Sequence, residues 1–248
     1  MQEIARDINK YTKDYIDHDF ENIMVKYRRK KVLEILNKYQ PKNILEVGCG
    51  IQSIFDFYNN YETFTVVEPS EYFCKIIKET RNYNSKITVI NDFLENKIEE
   101  LKNEKFDFII LSSLLHEVTD PIQMLKCIKQ LCNNNTLIHI NVPNAQSMHL
   151  LWAYKAGLIE KIGNLTEVAK HFQQHTTFTL KSLVQMVNSV DFSILEKGSY
   201  FIKPFNHAKM AEILKLGVID KKLLDGLYKL TEFMPEMGAE IFVNCRSK

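Results

Sequence analysis

The residues of this chain best placed to do chemistry are two carboxylates and two glycines within one short stretch. Glu46 lies in a hydrophobic run, Asn43-Ile44-Leu45-Glu46-Val47, and Gly48-Cys49-Gly50 follows directly. Glu68 comes just after the next such run, Thr63 to Val67. A strand, a glycine turn, a helix, a second strand and an acidic residue make the layout of a nucleotide cradle. Glycines let the backbone approach a ligand and take positive φ. A carboxylate at the carboxyl end of the second strand reaches a ribose diol. The dinucleotide fingerprint is incomplete, because its third glycine falls on Ser53. No Lys or Arg lies between Glu46 and Asn60, so a pyrophosphate finds little to hold it. Glu46 repels phosphate and suits a cationic ligand.

These residues need a scaffold, and the hydrophobic pattern supplies one. Residues 1–40 read as helix, with an apolar face on Val32, Leu33, Ile35 and Leu36 and a stop at Pro41. The pattern then predicts a helix from Ile51 to Tyr58, a helix from Tyr72 to Asn82 and a strand from Ile87 to Ile90. A connecting segment runs to Lys105, and Phe106 to Leu111 is a central strand buried on both faces. A helix from Pro121 to Cys132 and a strand from Thr136 to Val142 follow. Met148 to Leu158 and Thr179 to Val190 read as helices. Two strand pieces, Phe192 to Glu196 and Ser199 to Ile202, are broken at Gly198. Helices from Ala208 to Leu216 and Leu223 to Phe233 precede a closing antiparallel strand, Glu240 to Cys245. Strands alternating with helices give an α/β fold with a seven-stranded, mostly parallel sheet, and ligands bind beyond the carboxyl ends of its strands. One domain, 1–248, accommodates all of it: N-terminal helices 1–40, a ligand-binding half 42–143, and insertions at 144–177 and 203–236.

Composition excludes several classes. Hydrophobic residues make up 45% and charged residues 25%, a soluble globular balance, and a net charge of +1 argues against a nucleic-acid partner. No apolar stretch is long enough to span a membrane, and the N-terminus lacks a signal-type run. Five cysteines without ligand spacing read as reduced thiols in a cytoplasmic protein. The basic run Lys26 to Lys31 reads as a solvated helix face.

The segment Ile44-Leu45-Glu46-Val47-Gly48-Cys49-Gly50 resembles the first motif of the class I S-adenosylmethionine-dependent methyltransferases. Val66-Val67-Glu68-Pro69-Ser70, Asn91-Asp92-Phe93 and Phe106 to Val118 match that family in order and spacing. The resemblance implies a Rossmann-like fold and S-adenosylmethionine as cofactor. Gly48, Cys49 and Gly50 would pass under its methionine and ribose, and Glu46 would help hold its ammonium side. Glu68, with Pro69 beside it, would take the ribose hydroxyls. Asp92 and Phe93 would meet the adenine, and Ser112 would border the site. Bulky Ile51-Gln52-Ser53-Ile54 and Pro69 depart from the small residues usual there, yet remove no group that cofactor binding needs.

On the acceptor side, His116 stands where many relatives carry a histidine. Val142-Pro143-Asn144-Ala145 with Ser147 and His149 is similar to the loop of methyltransferases acting on sugars and surface-glycan precursors. So are His175-Thr176-Thr177-Phe178-Thr179 and Pro235 to Glu240. The resemblance implies that Asn144 and His149 face the acceptor. His175 and Asn144 flank the long irregular segment and are expected to position the receiving oxygen; an imidazole accepts a proton near neutral pH. Helix N-capping by Asn144 and packing by His175 are the bland alternatives. His171 and His175 have the spacing of a shared metal on a helix face, but no internal Glu or acidic cluster accompanies them, so no metal is expected. Tyr11 and Tyr15 are further pocket candidates. The expected activity is O-methylation of a small molecule, a sugar, phosphosugar or phosphoryl-type precursor, by a monomer or homodimer. The alternatives are an N- or carboxyl-directed methyltransferase and a non-catalytic cofactor-binding protein. Nucleic-acid methylation is disfavoured, because Leu111-Ser112-Ser113-Leu114 replaces an Asn/Asp-Pro-Pro-Tyr motif.

Overall fold

A computed structural model describes residues 8, 20–165 and 174–248. Tyr11, Tyr15 and His171 lie outside the described residues. The chain runs α1 (Glu21–Tyr39), β1 (Asn43–Val47), β2 (Thr63–Val67), α2 (Glu71–Lys78), β3 (Ile87–Ile90), α3 (Ile98–Leu101) and β4 (Phe108–Ser112). It continues through α4 (Pro121–Gln130), β5 (Leu137–Pro143), α5 (Met148–Lys155), α6 (Leu180–Ser189), β6 (Phe192–Tyr200), α7 (His207–Lys215), α8 (Lys221–Lys229) and β7 (Glu240–Ser247).

The seven strands form one sheet in the order β3-β2-β1-β4-β5-β7-β6. β1 to β5 are parallel, and β7 inserts antiparallel between β5 and β6. Both faces of the parallel strands are covered, which explains their nearly continuous apolar runs. Leu45, Ile109 and Ile138 pack with Leu125 and Ile128 of α4 and Leu183 of α6. Their strand neighbours Ile44, Phe108 and Ile110 pack with Val32, Ile35 and Leu36 of α1. Strand order reverses at β1, between β2 and β4, and a crevice opens at such a switch point.

Caps set the helices that surround this crevice. Ser70 Oγ accepts from Phe73 N ahead of α2, and Asp120 Oδ1 accepts from Gln123 N at 2.9 Å, with Pro121 opening α4. Thr179 and Ser182 form a reciprocal cap on α6.

Two expectations are corrected. No α-helix follows the glycine turn; only a short 3-10 turn forms, Ile54–Asp56. Glu46 takes up the amide of Ile54, and Phe55, Tyr58 and Tyr61 are buried in the core, so the segment is pulled inward. Nor does Gly198 break the strand. β6 runs through it with a register shift between Ile194 and Glu196, because the ring of Phe242 lies over Gly198, within 3.1 Å of where a Cβ would stand. The chain turns instead at buried Phe201, at φ 59°.

Candidate active site

The cleft at the ends of β1 and β4 has the Gly48–Gly50 turn as its floor, Glu68 and Pro69 on one side, and Ser112 to Leu114 on the other. Gly48 sits at φ 71°, and a Cβ there would lie 3.3 Å from Leu114 Cδ1. Both the conformation and the close approach therefore call for glycine. Gly50 N donates to Glu68 Oε2 at 3.2 Å, and Ser70 N donates to Oε1 at 2.9 Å, so two amides aim the buried carboxylate. The Cys49 thiol lies 3.4 Å from the Gly50 carbonyl oxygen. Burial, then the charges of Glu68 and Glu46, push that thiol up, so it stays protonated and is a poor nucleophile.

Glu46 lines the same cleft and also clamps the turn beneath it. Its carboxylate accepts from Ser53 Oγ and, at 3.1 Å, from Ile54 N. Burial pushes Glu46 up to about 7 against the pull of those two donors. A cationic ligand favours its ionised form.

Asp92 is half-buried beyond this wall. Its Oδ1 accepts from Asn96 Nδ2 at 2.7 Å and Phe93 N at 2.8 Å, which hold the carboxyl below its usual range. Phe93 is exposed, and neither residue lines the described cleft. Asn91 ties this segment to the cradle by donating to the carbonyls of Glu68 and Pro69, each at 3.0 Å.

A buried relay that sequence reasoning passed over supports the opposite wall. Asn244 Nδ2 donates to Glu196 Oε2 at 2.8 Å, and its Oδ1 lies 2.7 Å from His139 Nδ1. His139 Nε2 lies 3.0 Å from Asn141 Nδ2, and Asn141 Oδ1 accepts from Ser113 N at 3.1 Å. Because both side-chain amides donate in one sense, the His139 proton belongs on Nδ1. Burial lowers His139 to about 4 and keeps it neutral. The signal was present: His139 and Asn141 are polar residues two apart in a strand buried on both faces.

The acceptor-side candidates occupy different settings. His116 is buried just after the Ser112–Leu114 wall, and its carbonyl accepts from His175 N at 2.9 Å. The exposed His175 is thereby joined to the end of that wall. The Asn144 amide is committed to the main chain. Its Nδ2 donates to the Glu236 and Gly238 carbonyls, both at 2.9 Å, and its Oδ1 accepts from Gln146 N at 2.9 Å. Asn144 is thus a joint between β5 and the 236–238 turn. Gly238 is just as tightly placed, since a Cβ would come within 2.6 Å of the Tyr200 backbone. His149 Nδ1 lies 3.0 Å from Ser147 Oγ, and burial lowers it to about 2, so it stays a neutral imidazole.

Against known proteins, residues 20–197 match the family described as the methyltransferase domain. The chain belongs to that family. Its fold is the Rossmann-like class I methyltransferase fold, and S-adenosylmethionine is the methyl donor of this class. The methyltransferase is similar in structure to the plantazolicin methyltransferase BpumL in complex with SAH, at 16% identity over 97% of this chain and 95% of that one, with a TM-score of 0.59. It is also similar to the N-methyltransferase NodS from Bradyrhizobium japonicum WM9, at 10% identity over 93% and 89%, TM-score 0.55. A SAM-dependent methyltransferase from Archaeoglobus fulgidus covers 92% of this chain with all of its own length, at 13% identity and TM-score 0.55. No curated protein matches the methyltransferase by sequence.

The cleft fits this cofactor on its own chemistry. A glycine floor that excludes side chains, a carboxylate aimed by two amides and a second carboxylate poised for a cation suit a sulfonium nucleoside better than a polyphosphate. The basic run contributes in a way the solvated-face reading missed. Arg28 is buried, and its guanidinium pairs with Glu240 at 2.9 Å and Glu21 at 3.2 Å. Arg29 lies 3.7 Å from the Phe57 ring centroid and donates to Gln52 at 2.7 Å. Both arginines line the cleft. The clue was spacing: Met24, Arg28 and Val32 are four apart on one helical stripe. Among the described residues no group of three or more His, Cys, Asp or Glu is placed to hold a metal, and no helix is long and apolar enough to cross a membrane.

Proposed function

We propose that this methyltransferase methylates an oxygen of a small molecule, a sugar, phosphosugar or phosphoryl-type precursor of a surface glycan. The observation that supports the reading is the backbone join between His175 N and the His116 carbonyl, which ties the segment carrying the exposed His175 to the chain that follows the Ser112–Leu114 wall. The cofactor supplies a methyl group on a sulfonium. Glu68, Glu46 and the glycine turn would hold it in the cleft. In-line transfer forms the oxygen–methyl bond as the sulfur–methyl bond breaks, and the thioether leaves without needing a proton. A hydroxyl acceptor releases its proton, and His175 is the group proposed to take it. For an anionic oxygen, orientation alone suffices.

A second reading, transfer to nitrogen, is supported by the fold likeness to an N-methyltransferase. The test is incubation with deuteromethyl-labelled S-adenosylmethionine and a panel of nucleotide sugars, sugar phosphates and amines, with mass spectrometry to locate the label. Label on a sugar or phosphoryl oxygen supports the first reading. Label found solely on nitrogen overturns it.

A further inference from the structure

The cofactor cleft holds a third buried carboxylate, and it stands on the wall opposite Glu68. Glu68 follows β2, the glycine floor follows β1, and Glu117 follows β4. The sheet order β2-β1-β4 therefore sets Glu117 across the floor from Glu68. Glu117 is only 8% exposed and lines the cleft together with Ser112, Ser113 and Leu114. A carboxylate is costly to bury, and at a cleft wall a donor on the ligand offsets that cost.

Local structure fixes Glu117 in this place. Its amide donates to the Leu114 carbonyl at 2.9 Å, which curls the chain back after β4. Leu115 is fully buried in the core and pins the turn from beneath. From the other side, His175 N at 2.9 Å and Thr176 N at 3.3 Å both donate to the His116 carbonyl. The buried His116 imidazole backs the carboxylate, with Nε2 3.7 Å from Glu117 Oε1. Among the described residues, the cations lining the cleft, Arg28 and Arg29, both come from α1. The strand-end walls are thus acidic, with Glu46, Glu68 and Glu117, and the helical wall is basic.

We propose that Glu117 is a specificity-determining residue for the acceptor, accepting a hydrogen bond from an uncharged hydroxyl beside the transferring methyl group. This rests on the sugar reading above and narrows it. With the ribose at Glu68, the β4 wall is left to the sulfonium methyl and the incoming oxygen. An anionic phosphoryl oxygen brought to that wall would meet a like charge. A phosphosugar therefore enters with its hydroxyls toward β4 and its phosphate away from it. Glu117 takes no proton in this role, and the hydroxyl proton released on transfer goes where it was assigned above.

Sinefungin, an S-adenosylmethionine analogue whose amine replaces the sulfonium methyl, puts a cation at the transfer point and needs no acceptor. By calorimetry, Glu117→Gln should lose about tenfold or more in sinefungin affinity, the scale of a charge-assisted contact, while S-adenosylhomocysteine affinity stays within about threefold. The exposed control Glu99→Gln should match the wild type for both ligands. Unchanged sinefungin affinity in Glu117→Gln, or an equal loss for the two ligands, overturns the proposal. Should Glu117→Gln fail to fold, a crystal structure of the wild type with sinefungin decides. An amine farther from the Glu117 carboxylate than salt-bridge distance, about 4 Å, overturns the proposal. The deuteromethyl panel then reads the acceptor group. Label on a sugar hydroxyl supports the proposal, and label on a phosphoryl oxygen overturns it. Label solely on nitrogen overturns the oxygen reading and the hydroxyl with it, whereas the sinefungin comparison judges the place of Glu117 independently.

Discussion

Asn141 Oδ1 receives the amide of Ser113 at 3.1 Å, and Ser113 stands at φ 58°. A left-handed serine at a strand end is a sparsely populated conformation that surrounding structure has to impose. Here the Asn141 carbonyl also accepts the Ser113 amide, at 2.9 Å, and His139 holds the Asn141 side chain from behind. The cleft wall is therefore shaped by His139 and Asn141, which do not themselves line the cleft.

His139→Leu should accordingly lower stability by roughly 2–4 kcal/mol, because Asn244 Oδ1 and Asn141 Nδ2 lose their buried partner. S-adenosylhomocysteine affinity should fall with it as the Ser112–Leu114 wall relaxes. The relay also predicts acid sensitivity. His139 is lowered from 6.5 to about 4 by burial, so the unfolded chain takes up this proton first. Its stability contribution is complete above pH 6.5 and is lost as pH falls toward 4, about 3 kcal/mol in all. Urea unfolding at pH 7 and pH 4.5 measures it: the decrease should be smaller in His139→Leu. An equal decrease in both proteins would dismiss the relay as the cause.

Glu68→Ala should weaken S-adenosylmethionine binding more than it disturbs folding. Its carboxylate is fixed by Gly50 N and Ser70 N at the cleft edge, where two ribose hydroxyls would be bound. Hydrogen bonds to a charged group contribute about 1.5–3 kcal/mol each, so affinity should fall by about tenfold or more. Calorimetry on a folded variant checks this, and an unchanged dissociation constant rules it out. Asp92→Ala should have a smaller effect, since its carboxylate already accepts from Asn96 and Phe93.

The outer plan of the molecule was legible because its signals are local. Apolar runs give the strands, Pro121 after Asp120 opens a helix, and Gly48 and Glu68 line one cleft at the strand ends. What sequence did not disclose depends on contacts between distant segments. Arg28 meets Glu240 across 212 positions, and His139 meets Asn244 across 105. The missing helix after Gly50 has the same origin: a strand carboxylate, Glu46, takes the amide of Ile54 and the hydroxyl of Ser53 and draws the segment inward. Asn144 reads as a ligand group by motif, yet the return of 236–238 against it engages its amide.

Glu46 gives the cofactor site a pH dependence. Burial raises it from 4.5 to about 7, so near neutrality much of it is protonated when the site is empty. A sulfonium or ammonium nearby favours the carboxylate. S-adenosylmethionine affinity should therefore rise several-fold between about pH 6 and pH 8, with proton release on binding. Glu46→Gln should bind more weakly at pH 8 and lose most of the slope. Calorimetry in two buffers of different ionisation enthalpy reads both quantities. A slope that survives in Glu46→Gln assigns the dependence to another group.

The remaining prediction concerns His175, which the acceptor reading asks to take a proton. Its amide is held by the His116 carbonyl, and the next residues carry the Thr179 cap of α6, so a purely structural role is the competing account. Kinetics separate the two. As the proton-accepting group, His175→Ala lowers turnover by about a hundredfold or more and leaves S-adenosylhomocysteine affinity alone. As a packing residue it lowers the melting temperature and spares the specific activity of the folded fraction. Near-normal turnover on the true acceptor would remove His175 from the reaction. His149 is an unsuitable replacement, since burial keeps its imidazole neutral and weakly basic. His116, buried behind the same wall, becomes the next residue to vary. The pH profile adds a further distinction: a base gives a rate that climbs with pH and levels off. A flat rate between about pH 6 and 9 points to an anionic acceptor oxygen, oriented by the site without deprotonation.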